Sequence, residues 1–144
     1  MMDKLYLIAT IAGQGVAIRA ALVDSVVEIG AVSPVPLAAP HIAGLAALRS
    51  RLLTIICSEH ALGITPSGKA SSRAVIVEVD GHYYGLVVGT IDDARIIEAD
   101  PVPIRARLEH GWARVALGTI EFEGESLILI DPHRLIAGPE EMAA

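Results

Sequence analysis

HIAGLAALRSRLLTIIC, residues 41–57, is apolar almost throughout, yet Arg49 and Arg51 stand in its middle with one serine between them. Two guanidinium groups are costly to bury without partners. A hairpin of GLAALR and RLLTIIC removes the conflict, because the apolar side chains enter a core while the turn lifts both arginines into water. The stretch therefore predicts two short strands, with a helix over GLAALRSRLL as the alternative.

The composition indicates a protein that buries a core and does not bind nucleic acid. Of the 144 residues, 53% are hydrophobic and 19% are charged, which opposes disorder. Aromatic residues make up only 3%, so the core must consist of Val, Ile, Leu and Ala, and the many β-branched residues favour strands. The formal net charge of −6 is unlike the basic face of a nucleic-acid binder.

Nothing in the sequence predicts membrane insertion. The most membrane-like window, residues 31–48, contains Pro34, Pro36 and Pro40, which a spanning helix tolerates poorly. The start of the chain lacks the pattern of a signal peptide. The single cysteine, Cys57, has no partner for an internal disulfide. We expect a cytoplasmic protein.

Three further segments predict hairpins, and one predicts a helix. LYLIATI (5–11) is followed by a polar tip between Gly13 and Gly15, AVIVEVDGHYYGLVV turns at Asp80–Gly81, and residues 113–131 turn at Glu123–Gly124–Glu125. PHRLIA predicts a short C-terminal helix, with Pro132 at its first position and Gly138 after its end.

The two halves of the chain repeat the same order of segments. LYLIATIAGQGVAI corresponds to AVIVEVDGHYYGLVV, DSVVEI to DDARIIE, and the hairpin around Arg49 to residues 113–130. We therefore predict one all-β domain over residues 1–144, built from two five-stranded barrels side by side, with short helices in the connections and at the C-terminus. The first barrel would span approximately 5–63, the linker 64–73 and the second barrel approximately 74–137.

Candidate catalytic patterns are weak. Gly13-Gln14-Gly15 lies between two strands, which is the wrong context for a dinucleotide fingerprint. The five histidines show no metal-ligand spacing, and no serine stands in a nucleophile elbow. Glu121, Glu123 and Glu125 alternate, which predicts one acidic strand face, either simply solvated or steering a basic partner. We expect no catalytic residue, cofactor or metal.

The sequence resembles the CheW-like chemotaxis coupling proteins over nearly its whole length. VSPVPLAAPHIAGLAALRSRLLTIIC (32–57) is similar to their signature stretch, GLVVGTIDDARII (85–97) to their G-x-V-V-D-x-V-x-x-V-x-x-I, and LILIDPHRLI to their closing strand and short helix. The matching residues of the signature are Val32, Val35, Pro36, Ile42, Gly44, Leu48 and Arg49.

The resemblance implies two SH3-like barrels and a non-catalytic adaptor. Such proteins couple transmembrane chemoreceptors to a CheA-type histidine kinase and are recruited from the cytoplasm to membrane receptor arrays. The receptor's cytoplasmic hairpin tip lies between the barrels, which implies receptor-binding roles for Arg49, Val23 and Ser25. The kinase docks mainly on the second barrel, and the residues of an implied hydrophobic interface strip are Leu86, Val88, Thr90 and Ile91.

The sequence departs from the family pattern at several positions. Ala47 replaces an asparagine, Ser50 a turn glycine and Gly89 an aspartate. Serine is costly at position 50 if that turn needs a positive φ. The alternative function is therefore a divergent barrel protein that binds a different signalling partner, or a small ligand in a pocket between the barrels that contains His41, His82 or His110.

Overall fold

The computed structural model of the chain describes residues 4–64, 72–105 and 107–138, and these form a mostly β structure with short helices. The strands are β1 (Leu5–Ile11), β2 (Gln14–Arg19), β3 (Ser25–Glu28), β4 (Ile42–Leu48), β5 (Arg51–Cys57), β6 (Arg73–Val79), β7 (His82–Val87), β8 (Ile91–Ile96), β9 (Ala116–Phe122) and β10 (Glu125–Ile130). The α-helices are α1 (Ser58–Ala61), α2 (His110–Val115) and α3 (Pro132–Ala137).

In the described part of the chain, four pairs of consecutive strands form hairpins, and each hairpin has a two-residue turn of the same type. The turns are Ala12–Gly13, Arg49–Ser50, Asp80–Gly81 and Glu123–Gly124, and all eight residues have positive φ. Two positive φ angles define the turn whose twist matches that of the flanking strands. The hairpin around Arg49 is therefore confirmed and the helical alternative is wrong. The polar tip predicted between Gly13 and Gly15 is also wrong, because Gly15 already lies in β2.

The strands form two five-stranded sheets. The first sheet has the order β8-β1-β2-β10-β9, and the second has the order β3-β6-β7-β5-β4. β2 runs parallel to β10, and β5 runs parallel to β7, while the other neighbours are antiparallel. The predicted all-β fold with two five-stranded halves is confirmed, but the halves are sheets rather than closed barrels.

The internal repeat is confirmed by the topology. Replacing β1, β2, β8, β9 and β10 with β6, β7, β3, β4 and β5 converts the first sheet order into the second. Smaller features follow the same correspondence. Ser33 bridges to Leu45 beside Gly44, and Val102 bridges to Thr119 beside Gly118. A Cβ at either glycine would meet the bridging loop's carbonyl oxygen, so both close approaches need glycine.

The predicted division into consecutive barrels is wrong. Each sheet takes strands from both halves, because the hairpin β4–β5 pairs with β7 and the hairpin β1–β2 pairs with β8 and β10. A cut anywhere in the predicted linker 64–73 therefore separates neighbours within both sheets. Of that linker, residues 65–71 lie outside the described part of the chain.

The largest core lies between the two sheets. Successive residues of β6 face opposite sides of the second sheet. Val75 and Val77 face the core between the sheets, while Ala74 and Ile76 face a second cluster on the other side. All four are at most 1% exposed. A strand covered on both faces reads as a continuous apolar run instead of an alternating one. The first sheet has its own cluster on its other face, around Ile120 and Leu129.

Three short helices close one side of the core. In α3 the Asp131 carboxylate accepts a hydrogen bond from the His133 amide at 3.0 Å, Pro132 occupies the first turn, and Gly138 follows with φ 80°. This confirms the predicted C-terminal helix. Leu135 of α3 is fully buried in the core between the sheets.

Candidate functional site

Arg49 stands at the tip of the β4–β5 hairpin, where its side chain is exposed. Its φ is 52° and that of Ser50 is 69°. The tip is short, because Leu48 pairs directly with Arg51 on either side of the two turn residues. A cationic side chain on such a turn is presented at a defined place and can donate several hydrogen bonds to a carboxylate or carbonyl.

Arg51, the other arginine of the signature stretch, is held by two neighbours. Its guanidinium carbon lies 4.0 Å from the centroid of the Tyr83 ring, and its Nη1 lies 3.5 Å from Oδ2 of Asp24. The side chains of Arg51 and Asp24 are 48% and 36% exposed, so water screens this pair in part. The side chain of Arg51 is thus partly exposed, as predicted, but it also contacts Tyr83 and Asp24, which was not predicted.

The contact between Arg51 and Asp24 indicates that the second sheet is curved. In the order β3-β6-β7-β5, two strands separate β5 from β3. In a flat sheet three strand spacings would be roughly 14 Å. Since side chains stand roughly perpendicular to a sheet, an arginine and an aspartate this far apart meet most readily when the sheet curls and brings its two ends towards each other. The start of β3 and the β4–β5 hairpin therefore lie at one end of the curled sheet.

Val23 and Ser25, the other predicted receptor-binding residues, flank Asp24. Val23 is half-buried and packs against the core between the sheets. Ser25 is exposed, and its hydroxyl donates to Oδ2 of Asp24 at 3.2 Å. One carboxylate oxygen thus accepts from Ser25 and faces Arg51. The structure places the three predicted residues at the same end of the second sheet, and Asp24 joins them.

The predicted kinase-binding strip is wrong for two of its four residues. Leu86 and Val88 are 0% and 3% exposed, because both lie in the core between the sheets. They cannot contact a partner in this fold. Thr90 is exposed, whereas Ile91 is half-buried against the same core. Thr90 is also tied to β1, since its amide donates to the Thr10 hydroxyl at 3.0 Å.

At two of the positions that depart from the family pattern, Ser50 and Gly89, the local geometry restricts which residue fits. Ser50 occupies a turn position with φ 69°, which costs free energy for any residue other than glycine. At Gly89, an added Cβ would lie 2.9 Å from the Thr10 hydroxyl oxygen, so a side chain there would have to displace Thr10. Ala47 is exposed on β4 opposite Leu52, which is itself 63% exposed.

Of the three histidines predicted to line a pocket between the sheets, the two whose side chains the structure describes, His41 and His82, lie apart in different surroundings. His41 is 5% exposed, and its Nε2 lies 2.9 Å from the Ile136 carbonyl oxygen of α3. His82 is exposed at the start of β7, and the side chain of His110 lies outside what the structure describes. Among the described ranges, no three His, Cys, Asp or Glu side chains are grouped so that they could hold a metal ion.

The predicted acidic strand face does not form. The turn at Glu123–Gly124 separates Glu121 on β9 from Glu125 on β10, and Glu121 pairs with Ser126 while Glu125 pairs with Phe122. Neighbouring pairs along a ladder point to opposite faces, so Glu121 and Glu125 do too. Glu123 at the tip lies 3.9 Å from Arg95 of β8.

Sequence reasoning missed the contacts of Arg51, Asp24 and Tyr83. A signal was available, because Arg51, Leu53 and Ile55 alternate along one strand and so share a face. That face carries the apolar cluster of the second sheet, which includes Leu53, Ile55 and Tyr83. The pairing with Asp24 had no such signal, since it depends on how far the sheet curls.

None of the helices described is long and apolar enough to span a bilayer. A comparison with curated proteins finds no match. Among solved structures, the chain is similar to the crystal structure of scaffolding protein TtCheW from Thermoanaerobacter tengcongensis. The TM-score is 0.78 and the sequence identity is 23%, over 93% of this chain and 92% of that one. At that identity the similarity establishes the fold.

The family follows from a separate comparison. The sequence model of the CheW-like domain matches residues 5–140, which include every strand and helix described above. The CheW family consists of non-catalytic scaffolds of chemotaxis. The match also covers the hairpin with Arg49 and the segment from Val23 to Ser25. This chain belongs to the CheW-like domain family.

Proposed function

We propose that the protein is a non-catalytic adaptor that couples transmembrane chemoreceptors to a CheA-type histidine kinase, and that it is recruited from the cytoplasm to membrane receptor arrays. The observation that carries this proposal is the exposed Arg49 on its two-residue turn, at the same end of the second sheet as Val23 and Ser25. The receptor's cytoplasmic hairpin tip would bind there, with Arg49 donating to a carboxylate or carbonyl of the receptor.

The kinase would dock elsewhere on the chain. Of the residues implied by the family resemblance, Thr90 and Ile91 are the two that a partner can reach, while the burial of Leu86 and Val88 makes them supports of that surface. Thr90 is held in place by Thr10 of β1, so this segment would present a rigid surface to the kinase. Adaptors act through such surface complementarity and need no titratable cluster.

The test is a binding measurement with purified partners from the same genome, a receptor hairpin-tip fragment and the regulatory domain of the kinase. Arg49→Ala should weaken receptor binding by about tenfold, as removal of an interface arginine commonly does. Kinase binding should stay within about twofold of wild type, because the proposed kinase surface lies on other strands.

The matched control is Arg105→Ala, which removes an exposed arginine from the segment between β8 and α2. This variant should bind both partners like wild type. Circular dichroism must show that both variants fold. If Arg49→Ala bound the receptor fragment as tightly as Arg105→Ala does, the receptor role of this hairpin would be refuted. A coupling protein must bind both partners. If the wild-type protein failed to bind the receptor fragment, or failed to bind the kinase domain, the coupling function would be refuted.

A further inference from the structure

The two sheets each carry an arginine–carboxylate contact between a hairpin tip and an edge strand. In the second sheet, Arg51 at the β4–β5 tip reaches Asp24 beside β3 and lies over Tyr83. In the first sheet, Arg95 on edge strand β8 reaches Glu123 at the β9–β10 tip. Its guanidinium carbon lies 5.9 Å from the Phe122 ring centroid. β3 and β8 correspond in the internal repeat, and so do the two hairpins.

The two contacts join corresponding elements of the repeat, but with opposite polarity. The second sheet puts the arginine on the hairpin and the acid beside the edge strand, and the first sheet does the reverse. We call them the Arg51 clasp (Arg51, Asp24, Tyr83) and the Arg95 clasp (Arg95, Glu123, Phe122). Each clasp joins a hairpin tip to an edge strand, or to the residue beside it, across two intervening strands.

We propose that Arg51 is a positioning residue for the receptor-binding role of Arg49. The inference rests on the proposed function, because it concerns the site to which that function assigns Arg49. Arg51 follows the two turn residues directly and pairs with Leu48 across the hairpin. Its guanidinium is engaged on two sides, by the ring of Tyr83 and the carboxylate of Asp24. Motion of the tip away from β3 would break the contact with Asp24, and motion away from the neighbouring strand β7 would break the contact with Tyr83.

The Arg51 clasp thereby couples the two parts of the candidate site. Asp24 also accepts from the Ser25 hydroxyl, and its amide donates to the Ile76 carbonyl oxygen at 2.7 Å. The aspartate is thus fixed to β6, and through Arg51 it fixes the tip that carries Arg49. A hairpin tip held by these contacts loses less freedom when a partner binds Arg49. The arrangement favours a preorganised site.

A double-mutant cycle tests this with the receptor hairpin-tip fragment as the probe. Arg51→Met retains much of the apolar stem and removes the charge. In the wild-type background it should weaken binding about three- to tenfold. In the Arg49→Ala background it should have no further effect, because a residue that acts only through Arg49 loses its influence once Arg49 is absent. Arg51→Lys keeps a cation near Asp24 and Tyr83, and should restore most of the affinity.

Arg95→Met is the matched control, since it breaks the clasp between the corresponding elements of the first sheet. Its affinity for the receptor fragment should stay within about twofold of wild type. Equal affinity of Arg51→Met and wild type would overturn the proposal. So would an effect of Arg51→Met that is as large without Arg49 as with it, because Arg51 would then contact the receptor itself.

A second measurement needs no partner and separates this inference from the proposed function. The ¹⁵N heteronuclear NOE of the Arg49 and Ser50 amides reports picosecond-to-nanosecond motion of the tip. We expect values typical of ordered backbone in wild type and in Arg95→Met, and clearly lower values in Arg51→Met. Unchanged values in Arg51→Met would overturn the positioning role even if the wild-type protein failed to bind the receptor fragment.

Discussion

At the scale of single residues, the four hairpin turns show where this sequence accepts strain. Three of them, at Ala12–Gly13, Asp80–Gly81 and Glu123–Gly124, have glycine in the second position, where φ is 82–83°. The fourth has Ser50 there, with φ 69°. For a residue with a Cβ that region costs roughly 1–2 kcal/mol. The hairpin that carries Arg49 is therefore folded by its flanking strands against the preference of both turn residues, whereas each of the other three turns has only one such residue.

Ser50→Gly should stabilise the protein, whereas Gly124→Ser should destabilise it. The glycine removes the strain at position 50 but gains freedom in the unfolded chain, so the expected net gain in the free energy of unfolding is about 0.5 kcal/mol. The reverse change in the corresponding turn should lower it by a similar amount. Urea denaturation of the two variants and wild type measures this, and a loss of stability in Ser50→Gly would contradict the strain.

At the scale of elements, the three helices depend on contacts with each other's backbone. The guanidinium of Arg114 in α2 donates to the carbonyl oxygens of Arg134 in α3 and Ala61 in α1, at 2.6 and 2.7 Å. Arg134 in turn donates to the Arg114 carbonyl oxygen at 3.1 Å. Gly111 of α2 lies against the backbone of Leu62, which follows α1. The helices are too short to be stable alone, so these contacts determine where they lie.

Gly111→Ala should destabilise the protein although alanine favours helices. Its Cβ would overlap the Leu62 carbonyl and lie 2.8 Å from the Leu62 Cα, and backbone atoms cannot move aside cheaply. We expect the free energy of unfolding to fall by about 2 kcal/mol, as overpacking commonly causes. Thermal and chemical denaturation measure the change.

The control for Gly111→Ala is Gly30→Ala, since an added Cβ at Gly30 meets no atom within 4 Å. This variant should be as stable as wild type or slightly more stable. If the two alanine variants were equally stable, the close contact between α2 and Leu62 would not exist in solution.

At the scale of the whole molecule, the two sheets are interleaved. The first sheet combines β1 and β2 with β8, β9 and β10, and the second combines β3, β4 and β5 with β6 and β7. The parallel pairs β2·β10 and β5·β7 join the two halves of the chain within each sheet. The core between the sheets likewise draws side chains from both halves. The repeat is thus a structural unit that cannot complete a sheet by itself.

Neither half should therefore fold alone. Fragments 1–64 and 72–144, expressed separately, should show no cooperative unfolding, because each would leave the strands of two incomplete sheets exposed. Mixed or coexpressed, they should recover the β spectrum and a cooperative transition. Circular dichroism and ¹⁵N correlation spectra measure both states. A folded, monomeric 1–64 fragment would contradict the interleaved topology.

The elements, their order and their repetition could be predicted from the sequence, because they depend on local patterns. Apolar runs, glycines at turns and the Asp131-Pro132 start of α3 act over a few residues, and the resemblance to the CheW-like family rests on the same short stretches. The exposure of Arg49 was also predictable, since a guanidinium at a turn is cheapest in water.

How the two repeats combine depends on the packing of strands that are far apart in the chain. Hairpins β4–β5 and β6–β7 each look complete in the sequence, and nothing local says that β5 pairs with β7 of the other half. For the same reason the burial of Leu86 and Val88 was missed. Strand alternation tells which residues share a face but not that both faces are covered. The contact of Arg51 with Asp24 depends on the curl of a whole sheet, which is set by the packing of many strands together.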